Sequence, residues 1–281
     1  MGTLVTDDPV TLLAEISEGL GEGSVVPYLG PGISELAAPA APMTPEALAD
    51  FFGSKTTLPA RARGNAWAAA QYVESHRFRD TVTLWMNEAY AEPVAPSAFH
   101  EWLAGLGLPL IVDTWYSGEM RRALAAAATE WAEVQGITRA GIGEDRWYRF
   151  YDAAGEAIAA PEAEAATTLL YTPHGSVEPT GNYLISDADY VEVLTEIDIQ
   201  TPIPEEVRRR RVGRSFLFVG CHFHDQLLRN YARQIMKRSG ERHYAIVDLE
   251  SLTRNERRFI EEQGIVPIDL PLGDALEKLI R

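Results

Sequence analysis

Five short clusters hold the residue types that could do chemistry: Gly30-Pro31-Gly32-Ile33-Ser34, Asp113-Thr114-Trp115-Tyr116-Ser117, His174-Gly175-Ser176, Gly220-Cys221-His222-Phe223-His224-Asp225 and Asp248. Each follows an apolar run. A glycine turn that opens a helix can present backbone N–H groups to a phosphate. Pro31 withholds one donor, because proline has no N–H. The dinucleotide fingerprint, with glycines at positions one, three and six, is absent, since Glu35 takes the last position. A plain strand-to-loop turn therefore stays open as the other reading. His174 has the type and setting of a general base working near neutral pH, or of a buried histidine bonded to backbone. His222-x-His224-Asp225 resembles metal-ligand spacing but needs a third ligand, such as His174. Asp225 capping a helix explains the same residues. Cys221 reads as an inert apolar cysteine rather than a nucleophile. The run Arg208–Arg211, with Arg214, is a solvated helix face or a grip for a phosphate or acidic partner.

The elements that position these clusters follow from periodicity. Apolar runs of strand length occupy 24–29, 108–112, 167–172, 215–220, 244–247 and 265–268. Helical spacing fills 10–20, 64–90, 118–128, 253–263 and 273–281. Thr44 with Pro45, Ser97, Asp187, Pro204 and Asp225 start further helices. Asp187 is the expected cap of one that runs to about residue 196. Short apolar strands alternating with helices predict a Rossmann-like, doubly wound parallel α/β sheet with helices on both faces. Ligands of such sheets sit at the carboxyl ends of strands, where all five clusters fall. The whole chain, 1–281, is expected to form one domain. Within it, 129–165 reads as an insertion holding a β-hairpin around Asp152–Gly155.

Composition narrows the function classes. The 281 residues are 46% hydrophobic and carry a formal net charge of −16, which argues against nonspecific nucleic-acid binding. No apolar stretch approaches the roughly 18 residues needed to span a bilayer. The first residues lack the basic-then-apolar pattern of a signal peptide, so a cytoplasmic protein is expected. A single cysteine excludes an intrachain disulfide and any four-cysteine zinc site.

In order and spacing, these clusters resemble the sirtuin-like family, the relatives of silent information regulator 2, and within it the bacterial branch without the zinc module. The resemblance covers roughly residues 20–281. VVPYLGPGIS is similar to the family's glycine-alanine-glycine-x-serine NAD loop. PVAPSAFHEWLAGLGLPLIVDTWYS is similar to the segment leading into its threonine-threonine-asparagine-tyrosine-aspartate element, and LLYTPHGSVE to its histidine-glycine element. NYLISDADYVEVL and FLFVGCHFHDQLLR resemble two further elements. The resemblance implies NAD or ADP-ribose as ligand. Gly30, Gly32, Ile33 and Ser34 would lie at the phosphates and nearby ribose. Gly220 and His222 would lie near the adenosine half, Asp248 would bond the adenine-ribose hydroxyls, and His174 would be the base.

Two departures shape the expected activity. Trp115 stands at the family's catalytic asparagine, and Ser117 at the following aspartate. An indole donates only and cannot accept from water or a hydroxyl. The deacylases' zinc cysteines are missing, so no metal is expected. One reading is a nucleotide-binding pseudoenzyme with little or no NAD hydrolysis, acting alone, with a protein partner or as a homo-oligomer. The other is an active NAD glycohydrolase, of the kind used in bacterial antiphage defence. A metal enzyme using His174, His222 and His224 is the third.

Overall fold

The computed structural model describes residues 8–138, 147–191 and 203–281. Its strands, in chain order, are β1 (Val25–Leu29), β2 (Leu110–Asp113), β3 (Trp131–Gly136), β4 (Tyr148–Tyr151), β5 (Ala157–Ile158), β6 (Thr168–Thr172), β7 (Gly175–Ser176), β8 (Asn182–Tyr183), β9 (Ser215–Val219), β10 (His243–Val247) and β11 (Ile265–Asp269). Among them run α1 (Pro9–Gly21), α2 (Gly32–Glu35), α3 (Pro45–Lys55), α4 (Ala66–Arg77), α5 (Arg79–Ala89), α6 (Ala98–Gly105), α7 (Glu119–Ala126), α8 (Ala160–Ala165), α9 (Glu205–Arg210), α10 (Gln226–Met236), α11 (Arg254–Gln263) and α12 (Leu272–Ile280).

β11, β10, β9, β1, β2 and β6 are parallel neighbours in that order. These are the six strands read from the sequence. Counted along the chain, they follow the doubly wound order 3-2-1-4-5-6, with the direction of winding reversing between β1 and β9. Their residues alternate between two cores. Val26, Tyr28, Phe216 and Phe218 face one side, packed under α10 and α11. Val25, Leu29, Leu217 and Val219 face the other, under α1, α6, α7 and α12. Burial on both faces is why the strands read as unbroken apolar runs. A third cluster packs α3, α4 and α5 against Trp115, Tyr116 and Tyr183, over the carboxyl ends of the strands.

The caps form largely as expected. Thr44 accepts the Ala47 N–H with Pro45 in the first helical position, Ser97 closes a capping box with His100, and Asp225 accepts the Leu227 N–H. The helix after β8 differs. Ser186 caps it, taking the Asp189 N–H on its hydroxyl, and Asp187 is already helical. Its expected continuation past Val191 lies outside the described residues.

Within the expected insertion 129–165, residues 139–146 lie outside the described residues, and β3, β4 and β5 extend the β6 edge of the sheet. β3 runs parallel to β6, and β4 and β5 continue it antiparallel, joined by the turn Asp152–Gly155. The arginine run is structural. Arg210 donates to the carbonyls of Pro109 (2.8 Å), Thr167 (3.0 Å), Glu164 (3.0 Å) and Ala166 (2.8 Å). Arg211 caps the end of α10 at Gln234 and Ile235, both at 2.9 Å. Arg214 reaches the Gly23 carbonyl at 2.8 Å. Three of these guanidinium groups therefore clamp backbone carbonyls rather than form a phosphate grip. No described helix is long and apolar enough to cross a membrane.

Candidate functional site

The reversal between β1 and β9 brings the loops after these strands together. Gly30 donates to the Val219 carbonyl at 2.8 Å, and Gly32 to the Gly220 carbonyl at 3.0 Å. A Cβ on Gly30 would meet Gly220 O at 2.3 Å. One on Gly220, whose φ is +63°, would meet the Ile33 nitrogen at 2.7 Å. The glycines thus answer to each other, because only residues without a Cβ allow backbones so close. The Ser34 N–H is also spent within the turn, on Pro31 O at 3.1 Å.

Above the loops lies a cavity of about 330 Å³. Its floor is Gly32, Gly220, Cys221 and His222, and one wall is Val247, Asp248, Ser251 and Leu252. This size falls within the usual range for small-molecule sites, about 300–1,000 Å³. Gly32 and Gly220 on this floor are buried and the Gly32 N–H is spent on Gly220, so among the floor residues it is Cys221 and His222 that reach solvent. Asp248 caps the cavity wall, its Oδ1 accepting the Glu250 N–H at 3.0 Å. His222 is half-exposed at the mouth, with Nε2 4.0 Å from the Glu35 carboxylate. Ile33 and Ser34 are buried and line neither this cavity nor the inner pocket.

An inner pocket that shares Cys221 and His222 with this cavity measures about 20 Å³. That is room for about one water. Tyr28, Gly30, Thr114 and Trp115 are among its lining residues. Trp115 is 5% exposed, packs on Tyr116 with ring centroids 5.2 Å apart, and donates Nε1–H to the Pro42 carbonyl at 3.2 Å. The Tyr90 hydroxyl donates to the same carbonyl at 2.8 Å. The Ala/Pro-rich segment after α2 is thus tied down at Pro42 by two aromatic donors.

His174 stands apart from both cavities. Tyr190 and Tyr231 ring centroids lie 5.4 and 5.1 Å from its own, and the Tyr190 hydroxyl meets Nδ1 at 3.1 Å. Nε2 is buried without a partner. Burial depresses its pKa to about 3, so the ring is neutral at physiological pH and a poor proton acceptor. The structure therefore does not bring His174 together with His222 and His224, whose Nε2 faces Glu46 at 3.8 Å. Among the described residues no group of three or more His, Cys, Asp or Glu is arranged to hold a metal ion. Burial raises the Cys221 thiol well above its ordinary range.

The individual chemistry of three residues was missed from sequence. Asp113, at the end of β2, is pushed up to about 8 by burial and by the nearby Glu119 carboxylate. Its one visible signal is a carboxylate ending an apolar run. Tyr90 and Tyr190 carried none, since a tyrosine in a helix reads as core.

A parallel sheet in this strand order, with a cavity over the loops where its winding reverses, defines a doubly wound α/β protein. Within that class, the SIR2-like domain model matches residues 109–268, and the chain belongs to that family. The match spans β2 to β11 and begins after the glycine turn. No curated protein matches the chain.

Proposed function

We propose that the chain binds NAD or ADP-ribose by its adenosine half in the outer cavity and hydrolyses NAD little or not at all. Membership of the SIR2-like family supports a nicotinamide-nucleotide ligand. The observation that carries the second half is the filled inner pocket. The Trp115 indole lies beside a space of about 20 Å³, where the nicotinamide end of a ligand lodged over the glycine floor would have to go. In support, the candidate base His174 is enclosed by tyrosines. On this reading Asp248 holds ribose hydroxyls, and Gly32, Gly220 and His222 border the phosphates.

Thermal unfolding with NAD and with ADP-ribose tests binding, and nicotinamide release tests turnover. A ligand at 100 times its Kd stabilises the folded state by about 2.7 kcal/mol. Both nucleotides should raise the Tm, ADP-ribose at least as much as NAD, with no nicotinamide released. Release that His174→Ala abolishes would establish an active glycohydrolase instead.

A further inference from the structure

The first turn of α11 carries a capping box with an added connection. Thr253 Oγ1 accepts the Glu256 N–H at 3.3 Å, and Glu256 Oε2 accepts the Thr253 N–H at 3.0 Å and its hydroxyl at 2.7 Å. That completes an ordinary box. The other oxygen is ordinarily left to solvent. Here Oε1 accepts the Phe223 N–H at 3.0 Å, from a segment 33 residues earlier. Glu256 is 6% exposed and borders the outer cavity.

Phe223 follows Gly220, Cys221 and His222, which form one side of that cavity. Its ring packs on Phe218 and Phe259, and Arg229 donates to its carbonyl. Asp248, Ser251 and Leu252, on the other side, lead directly into Thr253. A single carboxylate therefore joins the wall after β9 to the wall after β10. Three protein donors already hold its two oxygens in place.

We infer that Glu256 is a positioning residue that sets the spacing of these two walls, and through it the affinity for an adenosine-bearing nucleotide. This rests on the binding reading above. The test compares Glu256→Ala, Glu256→Gln and Thr253→Ala. Thr253→Ala breaks the cap but leaves the bond to Phe223. By calorimetry, Glu256→Ala should weaken ADP-ribose about tenfold, the scale of one buried hydrogen bond to a charged group. Thr253→Ala, at a comparable drop in Tm, should weaken it less than about twofold. Glu256→Gln should fall between the unaltered protein and Glu256→Ala, since its one amide oxygen can accept on either side while its NH2 meets an N–H on the other. If Glu256→Ala fails to fold, Glu256→Asp, one methylene short of spanning both partners, serves in its place.

Hydrogen exchange of residues 220–224 without ligand reads the wall directly. Lost protection in Glu256→Ala but not in Thr253→Ala supports the inference even if the unaltered protein binds no nucleotide, in which case the binding reading alone falls. Unchanged protection, or an equal affinity loss in Thr253→Ala, overturns it.

Discussion

The Pro42 carbonyl takes two donors, Trp115 Nε1–H and the Tyr90 hydroxyl, and Pro42 is buried. This predicts a specific non-additivity. Tyr90→Phe alone should cost about 1 kcal/mol, the net worth of one hydrogen bond, because Trp115 still satisfies the carbonyl. Trp115→Phe should cost a similar amount plus the packing lost with the smaller ring. The double variant removes both donors and leaves a buried carbonyl unpaired, a penalty of about 1–3 kcal/mol that neither single variant incurs. The packing loss cancels in the cycle, so the double variant should exceed the sum of the singles by about 1–2 kcal/mol. Urea unfolding followed by circular dichroism measures this without relying on the tryptophan signal. Additivity within about 0.5 kcal/mol would refute the reasoning. It would mean that water reaches Pro42, and that the Ala/Pro-rich segment is not held by these two side chains.

The titration of Asp113 has a definite sign. Its carboxyl is raised from 3.8 to about 8 in the folded protein. The folded state therefore keeps a proton that the unfolded chain releases, and this contribution to stability is lost as pH rises from about 4 through about 8. The slope approaches about 1.4 kcal/mol per pH unit. Asp113→Asn should flatten the pH dependence between 6.5 and 8, a window above the ordinary pKa of His174. An unchanged slope in denaturant midpoints would contradict the assignment. Arg210→Ala should destabilise by about 3 kcal/mol, because several carbonyls lose a charged donor. Arg210→Lys should recover less than half of that, since an ammonium lacks the fork that spans them. A loss below about 0.5 kcal/mol for Arg210→Ala on thermal unfolding would show a merely solvated arginine.

The parallel core was legible because its strands are buried on both faces, and a run such as VVPYL has no competing helical period. β3 was not. Its sequence, WAEVQG, places Glu133 and Gln135 where a solvent-facing edge would put them, yet both are fully buried. Arg121 pairs with Glu133, whose other oxygen accepts from Gln135 Nε2 (2.7 Å) and the Thr172 hydroxyl (3.0 Å). Arg121 and Thr172 lie 12 and 39 residues away, and partners that distant leave no local pattern. In the candidate site, the strand ends could be read from glycines and polar residues, and Gly32, Gly220, His222 and Asp248 do border one cavity. The seclusion of His174 was hidden, because it depends on Tyr190 and Tyr231 arriving from other elements.

The meeting of Gly30, Gly32 and Gly220 also bears on how such a site could change its preference. Its floor is main chain set against main chain at contact distance, so no side-chain substitution there can widen or reshape it without forcing the two strands apart. Room for a different ligand would have to come from side chains elsewhere in the lining, such as Leu36, Leu252 and Leu272. The most recognisable stretch of the sequence is thus the part of the site least able to drift, and selectivity in relatives of this chain should be written in residues that form no motif.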